Sequence, residues 1–394
     1  MKKLSLFLQG PFAALFFSAA IGSAWASPKD PASPLLSPSP SSVSLALKAK
    51  TPPPAPPLGA APRILAPITA LVPGLLVHGT GHFVAKQPQT ARRLLAMEGL
   101  GLGMLLGGGA GIAGLGATRR FIGPLIHSAV AGAGFFTISA LADLYGVLAP
   151  SRGTGSPFKQ PPWIEAQLGL RYINNPAFDF RTFVAQGVDF RFRSLRLEQS
   201  AWFAIDDQNT RFRALGAYRF FGPKPSPHSP SPNAAPDGSF FDVESAFTHH
   251  RYTSNGFAVS TGEISLSGRL DLKHLGPTLQ GSFGELSLGV GLEGNHYFGL
   301  PDNESELLLG RFAFGIYMGH IGYPRGETML YYDHRHDGFA AGFPANNVGG
   351  GPLGHLGALS RVYLNPRIGL LLDAQIGSAL VLGLSLLIRP GGSP

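Results

Sequence analysis

The chain has 394 residues, room for more than one domain, and its 53 glycines and 35 prolines depart strongly from average usage. Charged residues are only 14% against 44% hydrophobic, which argues against wholesale disorder, and zero cysteines exclude disulfides, thiolate chemistry and a cysteine-linked lipid anchor. The net charge of +8 raises nucleic acid as a partner, but the arginines are spread through alternating segments and no nucleic-acid module can be read, so no nucleic-acid partner is expected.

Residues 1–26 read as an export signal. Met1-Lys2-Lys3 supplies the positive start, Leu4 to Ile21 the apolar core and Ala24-Trp25-Ala26 a small-x-small cleavage site. Residues 27–63 carry eleven prolines among Ser, Ala and Lys. Such a composition cannot bury a core and favours an extended, semi-rigid linker.

Residues 64–150 change texture to an apolar, Gly-rich helical domain, with segments expected near 64–85, 91–117 and 121–148. Gly99, Gly103, Gly107 and Gly111 recur every fourth residue, a spacing that clears one helix face for close approach of a neighbouring backbone. The pairs Arg92-Arg93 and Arg119-Arg120 bound this central helix. A literal G-x-G-x-x-G at Gly109–Gly114 has no strand before it, so a dinucleotide reading fails its context.

From 160 to 390 the pattern turns to period two. In GSFGELSLGVGLEGNHY, Leu286, Leu288, Val290 and Leu292 take one face, and Ser287, Gly289, Gly291 and Glu293 the other. Phe312, Phe314, Ile316 and Met318 likewise oppose Arg311, Ala313, Gly315 and Tyr317, and a long run from Phe178 to Ile205 sets Val184, Val188, Phe190, Phe192, Leu195 and Leu197 against Arg181, Asp189, Arg191 and Arg193. Long alternating strands with one greasy and one polar face predict an antiparallel transmembrane β-barrel of about 12 strands. Lipid tolerates no unpaired charge, so the acids and arginines turn inward and pair, which predicts a filled lumen and poor conductance. The long loop at 222–238 follows an even-numbered strand, on the end where short turns are usual.

Three groups of residues are candidates for chemistry. Asp333, His334 and His336 lie in the dense ionisable run YYDHRHD, and His250 lies near Ser254 at another strand end. A His beside a Ser or Asp is the pairing a lipid hydrolase needs for an activated nucleophile; no G-x-S-x-G elbow is present, and Ser254 and Ser360 are the candidates for the attacking group. His78 and His82, four residues apart, could hold a divalent metal together with Glu98 and His127, although the Glu of H-E-x-x-H is absent. Ionisable groups in apolar helices, Asp143 among them, are costly and mark either function or internal hydrogen bonding. Strand rims and helix caps explain the same residues without chemistry, so no cofactor is expected and enzymatic activity is not.

On its alternating strands, the region 160–390 resembles bacterial outer-membrane β-barrel proteins as a class, behind an ordinary secretory signal. The Pro73-to-His82 stretch is similar to the Pro-Gly openings of small helical-hairpin membrane proteins. The first resemblance implies a Gram-negative outer-membrane location, with membrane lipids and other envelope proteins as partners; neither resemblance carries an activity, and a structural or transport role is the leading expectation. Two other arrangements fit the same features: a barrel-embedded lipid hydrolase, and an inner-membrane helical anchor carrying a periplasmic β domain.

Overall fold

The computed structural model describes residues 60–115, 120–149, 155–158, 161–175, 181–225, 236–252, 256–296, 303–319, 324–334 and 354–390, with Thr118 and Gly322 between them. The signal-like and Pro-rich segments therefore lie outside the described residues. Four helices come first: α1 (Ala60–Leu71), α2 (Thr80–Val84), α3 (Pro88–Leu115) and α4 (Ile122–Leu148). Twelve strands follow: β1 (Ile164–Asn174), β2 (Thr182–Phe192), β3 (Leu195–Ala204), β4 (Thr210–Phe221), β5 (Phe240–Arg251), β6 (Ala258–Asp271), β7 (Ser282–His296), β8 (Asn303–Met318), β9 (Arg325–Asp333), β10 (His355–Tyr363), β11 (Ile368–Ile376) and β12 (Leu380–Ile388).

Each strand pairs antiparallel with its sequence neighbours, and β1 closes on β12 through Ala166↔Ile388 to Asn174↔Leu380. Closure leaves no unpaired edge, which is what a strand structure in hydrocarbon requires. Antiparallel order puts both barrel termini at one end, together with residues 222–225 after β4 and 236–239 before β5. β9 ends and β10 begins at the opposite end.

The strand pattern turns a soluble protein's burial inside out. On β12, Leu380, Leu382, Leu384, Leu386 and Ile388 point outward and are exposed, while Val381, Ser385 and Leu387 point inward and are buried. β11 repeats this with Ile368, Leu370 and Leu372 outside and Leu371 and Asp373 inside. Around one end, Trp163–Phe192, Tyr218–Phe220 and Phe220–Phe241 form outward aromatic pairs, the belt expected at a membrane interface.

Charges occupy the inward face and meet opposite charges there. Arg269 bridges Glu285 at 2.5 Å and Glu327 at 2.7 Å. Arg219 pairs with Asp242 at 2.8 Å, Arg213 with Glu263 at 3.1 Å and Arg171 with Asp373 at 3.0 Å. Glu165 holds Arg389 at 2.8 Å and accepts from the Tyr363 hydroxyl. Guanidinium groups also stack on inward rings: Arg269 lies 3.9 Å from the Phe283 ring centre, and Arg171 and Arg211 lie 4.2 and 4.5 Å from that of Trp202.

Three expectations are corrected. The run Phe178–Ile205 is two strands, β2 and β3, turning at Arg193, whose φ is 50°. The outward set changes from even to odd positions between Phe192 and Leu195, which marks the turn. The segment 64–85 is not one helix: it breaks after Leu71, where Gly74 crosses so close to the Ala70 backbone that a Cβ would sit 2.6 Å from its Cα, and α2 restarts after left-handed Gly79.

The third correction concerns the glycine seam. A Cβ on Gly99, Gly103 or Gly107 would meet nothing within 4 Å. The glycines that do pack α3 on α4 are Gly101, whose Cβ would lie 2.7 Å from the Phe136 nitrogen, and Gly108, 2.7 Å from the Leu125 carbonyl; Gly111 meets only the Leu125 side chain. Four residues turn a helix about 400°, so a four-residue row drifts about 40° per step, whereas alternating three- and four-residue steps stay on a seam. Leu94, Glu98, Gly101 and Gly108 are buried on such steps.

α4 lies against the outer wall of the barrel at β7 and β8. A Cβ on Gly310 would meet Val130, one on Gly134 would meet Phe312, and one on Gly284 would meet Ile138. All three barrel residues are on the outward register, so the helical hairpin sits beside the barrel and not in its lumen.

Candidate functional site

Where the hairpin meets the termini end of the barrel, a group of polar side chains is shut away from solvent. His78, His82, Ser139 and Asp143 are fully buried, and Glu98 and Thr278 nearly so. Five elements contribute. His78 comes from the turn that Gly74 and Gly79 shape, His82 from α2, Glu98 from α3, Ser139 and Asp143 from one face of α4, and Thr278 from the 3-10 turn Pro277–Leu279 between β6 and β7.

Asp143 is the hub. Its carboxylate accepts from the backbone N–H groups of Gly79 at 2.9 Å, Gly81 at 3.2 Å and His82 at 3.2 Å, and meets His82 Nδ1 at 2.5 Å. The other ring nitrogen of His82 lies 3.2 Å from Thr278 Oγ1. A second chain runs alongside: Glu98 accepts from the His78 backbone N–H at 2.8 Å, and His78 Nδ1 lies 2.7 Å from Ser139 Oγ. Burial holds the His78 imidazole below its ordinary pKa against the upward pull of Glu98 and Asp143, so the ring is neutral at neutral pH.

Carboxylate, imidazole and hydroxyl in the order Asp143–His82–Thr278 is the sequence of groups that activates a nucleophile. Here the relay is enclosed. A Cβ on Gly146 would strike the His82 ring, so α4 passes directly over it and leaves no space for an acyl group. What the arrangement does is satisfy the first amides of α2 with a buried carboxylate, as an N-terminal cap does. It ties the turn, both long helices and the barrel rim into one hydrogen-bonded unit.

The structure brings His78, His82 and Glu98 together. His127 is elsewhere, near the start of α4, with Nε2 2.9 Å from the Gly289 carbonyl on the barrel wall; a four-residue pocket including it does not form. Among the described residues no group of three or more His, Asp or Glu is placed to hold a metal ion. Asp333 ends β9, and His334 follows with Nδ1 3.1 Å from the Tyr332 hydroxyl. His250 faces inward on β5, bonded to Asn209 at 2.9 Å and stacked on Tyr252 with ring centres 3.8 Å apart. Ser360 is engaged with Thr328 at 2.8 Å. Ser254 and His336 lie outside the described residues.

Asp143 carried the signal of a lone acid in an apolar helix, but nothing in the order of residues ties it to His82. Thr278 is 196 residues from its histidine, and no local pattern marks it.

No family model matches the chain, and no curated protein does. Solved structures that resemble it include the Acinetobacter baumannii outer membrane protein Omp33, at 8% identity and TM-score 0.30, covering 58% of this chain and 98% of that one. The NanC porin gives 12% identity and TM-score 0.30 over 57% of this chain and 98% of its own. The translocator domain of the autotransporter NalP from Neisseria meningitidis gives 8% and 0.29 over 58% and 89%. The barrel assignment rests on the closed ladder of hydrogen bonds and not on these distant likenesses.

Proposed function

We propose that this chain is an outer-membrane barrel with a structural role: a closed, salt-bridged cylinder that holds a two-helix hairpin against its outer wall in the lipid phase. The observation that carries this reading is the inverted face pattern, with exposed leucine and phenylalanine outside and paired charge inside. In water that exterior would be a liability, since monomeric soluble proteins keep contiguous apolar patches to a few hundred Å². In a bilayer it is the expected surface.

A filled lumen favours support over diffusion. Beyond the ion pairs, residues 155–158 lie against the β8–β12 wall at the termini end: Gly155 donates to the Tyr317 carbonyl at 2.9 Å, and Arg325 donates to the Ser156 and Pro157 carbonyls. The Phe158 ring lies between Arg325 and Arg389, 4.8 and 4.7 Å from their guanidinium carbons, and edge-on to Tyr363. The lengths agree as well. α3 has 28 residues and α4 has 27, about 40 Å each, against a hydrocarbon core of about 30 Å.

The test has two parts. After fractionation the protein is expected with the outer membrane, showing heat-modifiable gel migration. In planar bilayers it is expected to give no discrete open-pore steps. Recovery in the soluble periplasmic fraction would remove the membrane placement, and stable ion conductance would remove the closed lumen.

A further inference from the structure

One apolar surface is not accounted for by either the barrel or the long hairpin. On α1 and the turn after it, Leu65, Ile68, Leu71, Val72, Leu75 and Leu76 are exposed, Leu76 to 76%. The opposite side of α1 carries small residues, Ala66 and Ala70, which are buried; a Cβ on Gly81 would lie 2.7 Å from Ala70. Small residues inward and large apolar residues outward is the arrangement of a helix whose outer neighbour is lipid; a surface helix in water shows polar residues there. From Ile64 to Ala85 there is no Asp, Glu, Lys or Arg, and both histidines are buried.

The height of this surface can be read from its contacts. Leu94 packs with Ile138 and Ala142, so the first turns of α3 are level with the last turns of α4. Arg93 donates to the His274 and Leu275 carbonyls of the β6–β7 connection at 3.2 and 3.0 Å, as an arginine does where a helix leaves hydrocarbon. His82 is bonded to Asp143 at this same level. The bonds of His78 to Glu98 and Ser139 and of His82 to Asp143 therefore place the apolar turn at the end of the hairpin that carries Arg93.

From this the geometry points to a membrane-surface anchor: residues 65–77 lie in the acyl–headgroup boundary of the phospholipid leaflet on the side of the barrel termini. This rests on the reading that the barrel is embedded in a bilayer. The segment spans nothing; it lies in the interface plane, adding apolar contact beside the hairpin and fixing its tilt against the barrel.

The absence of cysteine makes a direct test simple. Single variants Leu71→Cys, Leu76→Cys, Leu384→Cys and Asp206→Cys are labelled with an environment-sensitive fluorophore. They are reconstituted in phosphatidylethanolamine–phosphatidylglycerol vesicles containing doxyl-labelled phosphatidylcholine, and heat-modifiable migration confirms folding. Labels at 71 and 76 are expected to be blue-shifted and to lose emission most with shallow doxyl groups. The label at 384, on the outer face of β12, should lose emission most with deep doxyl groups, and that at 206, in the β3–β4 loop, should be unaffected. Quenching at 384 without quenching at either 71 or 76 would overturn the anchor and leave the membrane barrel standing. No quenching at 384 would sink the barrel placement itself. Efficient disulfide crosslinking between two copies of the unlabelled Leu76→Cys variant, with quenching lost in the labelled one, would assign the surface to a second chain and also overturn the anchor.

Discussion

Replacing Asp143 with alanine removes one carboxylate and leaves three backbone N–H groups and one imidazole facing a dry interior. A buried donor left without a partner costs about 1–3 kcal/mol. The four costs do not add, because the turn and α2 can undock and hydrate once docking is worth less than the penalty. Breaking a buried pair from one side costs about 3–5 kcal/mol, and we take that as the scale. At about 1.4 kcal/mol per factor of ten, protection of the amides of Gly79, Gly81 and His82 should fall roughly 100- to 4000-fold. Hydrogen exchange read by mass spectrometry over residues 78–84, in detergent, measures it directly. Amides of β11 and β12 serve as an internal reference and should not change. Asp143→Asn keeps one carbonyl oxygen as acceptor and should lose only about 10- to 60-fold, an uncharged acceptor contributing roughly half of a charged one. Unchanged exchange at 79–82 in the alanine variant would refute the reasoning.

The seam between the long helices makes a paired forecast. Gly101→Leu should destabilise the hairpin by about 1–3 kcal/mol, because its Cβ would lie 2.7 Å from the Phe136 nitrogen. Gly103→Leu, with nothing within 4 Å, should be neutral or slightly stabilising; thermal loss of helical circular dichroism separates the two. Inside the barrel, Arg269→Met leaves Glu285 and Glu327 without their shared cation and should cost about 3–5 kcal/mol in urea unfolding, and adding Glu285→Gln and Glu327→Gln should restore most of it. At the termini end, burial alone would raise the Asp237 pKa, but hydrogen bonds from Ser239 and His274, with Lys273 nearby, hold it below the ordinary aspartate value. A folded pKa that is depressed stabilises above the unfolded value of about 4 and is lost as pH falls through the folded one. Exchange at the Ser239 amide, corrected for intrinsic rate, should therefore rise below about pH 4 in the native chain and show no such step in Asp237→Asn.

The barrel was legible because alternation is a local property: Leu380 to Ile388 declares its two faces without reference to anything distant. Strand number followed from turns, and the one run that looked unbroken, Phe178–Ile205, hid its turn in a change of parity. The seam of the hairpin was less legible. Gly99, Gly103 and Gly107 form a regular row, yet the contact face follows Leu94, Glu98, Gly101 and Gly108, since which of two glycine rows meets a neighbour is decided by the neighbour. The candidate site was half visible. His78, His82 and Glu98 stood out as costly groups in apolar surroundings, and Asp143 did too. Their union through Thr278, and the separation of His127, depend on contacts across 162 to 196 residues that no spacing encodes.

Those same separations bear on the order of assembly. The hairpin is synthesised well before β7 and β8, the strands that seat it, so its docking surface does not exist when the helices first emerge. Two apolar helices must wait, in whatever compartment the chain has reached, until more than half the cylinder has followed them. Their many glycines dilute their oiliness during that interval; the Asp143–His82 clasp is made wholly within the helical part, and only its link to Thr278 awaits the β6–β7 turn. Anything that delays the seventh and eighth strands prolongs the exposure of the first part made.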